Sequence, residues 1–164
     1  MIVFIQDRKE MNSLLGKYLN GQLGDGVHVV AYDSDENKTI LFDFIYEDIK
    51  TAVPFHDIEL LMGQGLGGYW ALWMGSIARV PTYVINPELN PYGDEQAITF
   101  DPMPNYIPLN ILLSNDGHTI DNTPIFDVFG ARADFTQIWP DPLLIDPEDI
   151  LHDVENVLIV NKEI

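Results

Sequence analysis

Cysteine is absent from this sequence, and with it go disulfides, thiolate zinc sites and a cysteine nucleophile. Stability must come from packing. Basic side chains are scarce: 8 Lys and Arg stand against 26 Asp and Glu, for a formal net charge of −18 at pH 7. A field of that sign repels phosphate backbones and anionic lipid surfaces, so neither direct nucleic-acid binding nor membrane binding is expected. It favours partners with a basic face instead. Long apolar runs are missing too. No segment approaches the roughly 18 uninterrupted apolar residues of a membrane-spanning helix, and the opening Met1–Glu10 is charged too early for a secretory signal. The expected location is the cytoplasm. No internal repeat or low-complexity tract divides the chain, and proline and glycine are spread through it.

What the sequence does contain is material for a core: 46% of its 164 residues are hydrophobic, enough for one domain running over 1–164 without a linker. Short apolar runs bounded by polar or glycine-rich turns predict buried strands at Ile2–Ile5, Val27–Tyr32, Ile58–Met62, Thr82–Ile85, Ile111–Ser114 and Phe135–Ile138. Between them, helical spacing recurs at Leu14, Leu15, Tyr18 and Leu19, and again at Ile40, Leu41, Phe44, Ile45 and Ile49, with cap chemistry offered by Asp33-Ser34-Asp35. The β-branched and aromatic content of that second segment also suits a strand; the helix is the reading adopted. Tyr69–Ala78 reads as an almost wholly apolar, buried helix. A last helix opens at Asp146-Pro147-Glu148-Asp149, where a cap residue, proline at the first position and first-turn acids coincide. Its core face is expected at Ile150, Leu151, Val154, Val157 and Leu158, with Asp146, Asp149 and Asp153 on a solvent-facing stripe. Strands alternating with helices predict an α/β fold, a mainly parallel sheet with helices on both faces.

The segment Gly63-Gln64-Gly65-Leu66-Gly67 sits between a predicted strand and a predicted helix. A strand, a tight turn and a helix push the turn residue out at the carboxyl edge of the sheet, above the first amides of the helix. With serine at the centre this is the nucleophile elbow, G-x-S-x-G, in which the following N–H helps to stabilise an oxyanion. Here the centre is Gly65, which tolerates positive φ but has no nucleophile. Gly63, Gly65 and Gly68 also satisfy the G-x-G-x-x-G spacing of dinucleotide sites, with Glu88 about twenty residues on. That alternative is weakened by the position of the turn, well away from the first strand.

Residues Met62–Tyr92 resemble the small bacterial esterases of the YqiA/YcfP type (UPF0227-like), α/β-hydrolases with a GSSLGGYYATWL-like elbow and helix followed by a strand ending in VNPA-x-x-P. Gly63, Leu66, Gly67, Gly68, Tyr69, Ala71 and Trp73 match, as do Asn86, Pro87 and Pro91, over about a fifth of the chain. The resemblance implies an α/β-hydrolase-like fold and three triad positions. Gly65 stands at the nucleophile, Asp116 in the acid loop Ser114-Asn115-Asp116, and Pro142 in Trp139-Pro140-Asp141-Pro142 where the family has its GGDH-like base turn. The family's LHGF-like oxyanion loop corresponds to Gln6-Asp7-Arg8, without its histidine-glycine pair.

Two of three triad positions are thus filled by residues that cannot do the chemistry, and members of a triad act as a unit. The expectation is a degenerate, non-catalytic relative of an esterase that binds another protein, with Asp7, Gln64, Gly65, Leu66 and Asn86 as the candidate binding residues. No cofactor and no metal are expected. The alternatives are a slow residual esterase or thioesterase using the Leu66 amide, and an acidic inhibitor that mimics nucleic acid. His28, His56, His118 and His152 read as ordinary surface or core residues, and Ser76 as part of the buried helix.

Overall fold

The structure, a computed structural model, describes residues 1–10, 17, 21, 24–89, 91, 107–114, 125, 129, 133–138 and 146–163. Its strands are β1 (Ile2–Asp7), β2 (Val27–Tyr32), β3 (Leu60–Gln64), β4 (Thr82–Ile85), β5 (Leu109–Ser114) and β6 (Asp134–Ile138). Its long described helices are α1 (Lys38–Ala52), α2 (Leu66–Ala78) and α3 (Pro147–Lys162). The strands form one six-stranded sheet in the order β2-β1-β3-β4-β5-β6, and every pairing is parallel. All carboxyl ends therefore lie along one edge.

Successive side chains of a strand point to opposite faces, and here both faces are covered. Val3, Ile5, Val30, Leu61, Val84 and Ile111 enter the core beneath α1 and α2. Ile2, Phe4, Leu60, Met62, Tyr83 and Ile85 enter a second core with Ile150, Val154 and Val157 of α3. This explains why β1, β3 and β4 read as largely apolar runs: nearly every residue in them is buried. α2 crosses the middle of the sheet, against β1, β3 and β4, and is buried on nearly every side, Trp70 completely.

Four expectations need correction. The third strand is Leu60–Gln64 and its helix starts at Leu66, so the turn is tighter than a helix from Tyr69 implied. The cap of α1 is Asn37, whose Oδ1 accepts the Thr39 N–H at 2.8 Å. Asp33 is occupied instead by its own turn, accepting the Asp35 N–H on its side chain and the Glu36 N–H on its carbonyl. On α1 only Leu41, Ile45 and Ile49 of the expected face are buried, while Ile40 and Phe44 are 56% and 41% exposed. α1 packs on β2 at one edge of the described sheet, where a single ridge of side chains reaches the core and the residues one position earlier turn away from it.

The fourth correction concerns α3. Asp146 caps it, accepting the Glu148 N–H at 3.0 Å, and Pro147 follows at the start. Ile150, Val154 and Val157 are buried, with Leu151 and Leu158 packed at the margin. Asp153, however, does not belong to a purely solvent-facing stripe: its Oδ2 accepts the Tyr83 hydroxyl at 2.5 Å. Tyr83 is 1% exposed, so its hydroxyl required a partner, and Asp153 of the covering helix supplies one. Burial first, and this hydrogen bond second, push the Tyr83 phenol above the ordinary tyrosine range. No described helix is long and apolar enough to cross a membrane. The predicted helical spacing around Leu14 to Leu19 lies outside the described residues.

Candidate functional site

β3 ends at Gln64 and α2 begins at Leu66, so Gly65 alone makes the connection. Its φ of 58° and ψ of −119° are accessible to glycine but strained for other residues. Backbone hydrogen bonds hold it there. The Gly65 N–H donates to the Ile85 carbonyl at 3.0 Å, and its own carbonyl accepts the Tyr69 N–H at 3.2 Å and the Glu88 N–H at 3.0 Å. The elbow is thereby tied to the first turn of α2 and to the loop leaving β4.

The neighbouring glycines do a different job. A Cβ at Gly63 would stand 2.1 Å from the Gly67 carbonyl oxygen, and one at Gly67 would stand 2.4 Å from the Ile5 carbonyl oxygen. The start of α2 lies directly on the backbones of β3 and β1, and side chains at either position would force them apart. A Cβ at Gly65 meets nothing within 4 Å. Packing thus demands glycine at 63 and 67, whereas only backbone conformation favours it at 65, where the space for a side chain is open.

The residues selected from sequence converge on this edge. Asp7 ends β1, and its Oδ1 accepts the Lys9 N–H at 3.1 Å. Gln64 and Leu66 flank the elbow, both half-buried. Asn86 follows β4; its N–H donates to the Leu112 carbonyl at 2.9 Å and its φ is 42°. Because β1 and β4 flank β3, these positions border the elbow from both sides. The strand order also reverses at β1, and ligand crevices of open α/β sheets lie at such points. Asp116, His118 and the Trp139–Pro142 turn lie outside the described residues.

The described histidines do not approach the elbow. His28 is the second residue of β2, at the amino edge, where its Nε2 lies 2.8 Å from Asp48 Oδ1. His56 precedes β3 on that same edge, and His152 is exposed on α3. Gly63, Gly65 and Gly68 lie in the strand, at the elbow and where α2 approaches Pro87. Among the described residues no three His, Asp or Glu side chains converge as a metal site would need. The edge therefore presents helix-terminal amides, at and after Leu66, without a hydroxyl at the elbow.

Sequence reasoning missed two backbone features here: the left-handed Asn86, and the Gly65 carbonyl as a double acceptor. Asparagine is the residue, after glycine, that most readily adopts positive φ, so Asn86 ahead of Pro87 carried a signal. The second feature joins residues far apart in local structure and carried none.

The profile of UPF0227, an uncharacterised protein family, matches residues 19–99, a segment holding the elbow, α1, α2 and β2 to β4. No curated protein sequence matches the chain. Among solved structures, Est1E from Butyrivibrio proteoclasticus is similar in fold, with a TM-score of 0.71 at 11% identity over 99% of this chain and 88% of that one. With the parallel sheet and the glycine elbow, the chain has an α/β-hydrolase-like fold and is similar to the UPF0227 family over 19–99, just under half of its length.

Proposed function

We propose that this protein acts by binding another protein and does not catalyse ester hydrolysis. The observation that carries the reading is residue 65. The elbow keeps the backbone geometry and the open side-chain space of a nucleophile position, and glycine stands there. Catalysis by a triad depends on all its members, and loss of the nucleophile removes several orders of magnitude in rate. Pro142, at the position aligned with the family's base, offers no proton acceptor. The acid excess supports a partner with a basic face, because complementary charge speeds encounter and selects against acidic competitors.

Hydrolysis of a short-chain p-nitrophenyl ester tests this reading. The natural chain should not exceed the buffer rate, and Gly65→Ser combined with Pro142→His should gain measurable turnover. Turnover by the natural chain well above buffer would overturn the non-catalytic assignment and direct attention to another nucleophile.

A further inference from the structure

A cavity of about 220 Å³ opens beside the exits of β1 and β2, lined by Arg8, Asp33, Glu36, Ile40, Leu41 and Phe44. Small-molecule sites commonly occupy roughly 300–1,000 Å³, so this one matches a single large apolar side chain better than a cofactor. Its walls combine two chemistries. Ile40 and Phe44 are 56% and 41% exposed, one helical turn apart on α1. Asp33 and Glu36 are the acids among its lining residues, and Asp43 and Glu47 are exposed on the helix that carries Ile40 and Phe44. Beside the cavity, Lys9 Nζ pairs with Asp35 Oδ1 at 2.8 Å, while Asp33 and Glu36 are the carboxylates that line it.

We propose that this cavity is the docking point for a basic amphipathic segment of a partner protein. One large apolar side chain of the segment inserts between Ile40 and Phe44, and flanking Lys or Arg side chains pair with Asp33 and Glu36. The Arg8 guanidinium, a donor only, hydrogen-bonds to backbone carbonyls of the inserted segment. The inference rests on the binding role proposed above and gives it a location. Charge complementarity selects the occupant. A basic segment is attracted by a chain of net charge −18, whereas a second copy of the same chain brings −18 of its own. An apolar anchor in a pocket with a charged rim is also the arrangement in which a few residues dominate affinity.

Short fluorescein-labelled peptides provide the test: one with a central leucine flanked by lysine and arginine, a second with those charges replaced by glutamate, and a third basic peptide with alanine for leucine. Fluorescence anisotropy should show binding of the first alone. Phe44→Ala should weaken it by about tenfold or more, and the double variant Asp33→Asn, Glu36→Gln should weaken it and flatten its salt dependence. Ile159→Ala, at an exposed apolar residue of α3 on the other face of the sheet, should leave it unchanged. Equal binding of the alanine peptide, indifference to Phe44→Ala, or no binding of any peptide would overturn the proposal, as would self-association abolished by Phe44→Ala in sedimentation. These substitutions are at exposed or rim positions, and circular dichroism checks that each variant is folded. Failure here with an inert ester assay removes only this docking point, whereas ester turnover by the natural chain removes the non-catalytic reading whatever the peptides do.

Discussion

At Gly63 a Cβ would overlap the Gly67 carbonyl at 2.1 Å, while at Gly65 it would meet open space; the two glycines of one turn are therefore held by different physics. Gly63→Ala must move α2 off β3 and should cost at least about 3 kcal/mol. Gly65→Ser pays only for a side chain at φ 58° and should cost about 1–2 kcal/mol. Urea unfolding of the two variants reads the contrast, and equal losses would show that space, not conformation, governs both positions. A second residue-scale effect belongs to Tyr83. Its phenol is held above the ordinary range by burial and by Asp153, so the folded state favours the protonated form. That contribution is fully present below the unfolded pKa of about 10 and fades as pH rises beyond it, by up to about 1.4 kcal/mol per pH unit. Tyr83→Phe should lose about 1–3 kcal/mol near neutral pH and show a flatter decline above about pH 10. Parallel alkaline melts of the two proteins would sink the assignment.

At the scale of the element, α1 separates what helical spacing reveals from what it hides. Its apolar residues at 40, 41, 44, 45 and 49 all fit one broad face, yet only Leu41, Ile45 and Ile49 meet the core. Ile45→Ala should cost about 2–5 kcal/mol by removing a buried side chain, and Ile40→Ala should stay within about 0.5 kcal/mol. Denaturant midpoints of the two single variants test this, and a large loss at Ile40 would place it inside the core. The strands were easier to read. Val27–Tyr32 and Thr82–Ile85 have the bounds their mainly apolar runs suggested; Thr82–Ile85 is buried throughout, as a strand covered on both faces allows, while the edge strand Val27–Tyr32 is only partly buried. The start of α2 was harder, because Leu66, Gly67 and Gly68 have a composition that suits a loop and become helical through their seating on β1 and β3.

For the whole molecule, charge is the dominant feature. With 26 acidic and 8 basic side chains, self-repulsion opposes the compact state and added salt screens it. The midpoint of thermal unfolding should rise between about 10 and 150 mM sodium chloride, where the Debye length falls to roughly 8 Å. A flat response in calorimetry would mean that local pairings already neutralise the repulsion. The same field bears on function, since it opposes acidic and nucleic-acid partners and favours the basic segment proposed for the Ile40–Phe44 cavity.

The order of the described strands and long helices, the parallel sheet and the glycine elbow were legible in the linear chain because each rests on local chemistry: apolar runs, cap residues, and a G-x-G-x-G turn between a strand and a helix. Tertiary structure alone decided that β1 and β4 flank the elbow and bring Asp7 and Asn86 beside Gly65. It alone paired Tyr83 with Asp153, 70 positions away, and turned Ile40 and Phe44 outward to wall a cavity. These features depend on which distant backbones come within a few ångströms of one another, and periodicity within a segment says which face is apolar without saying what will cover it.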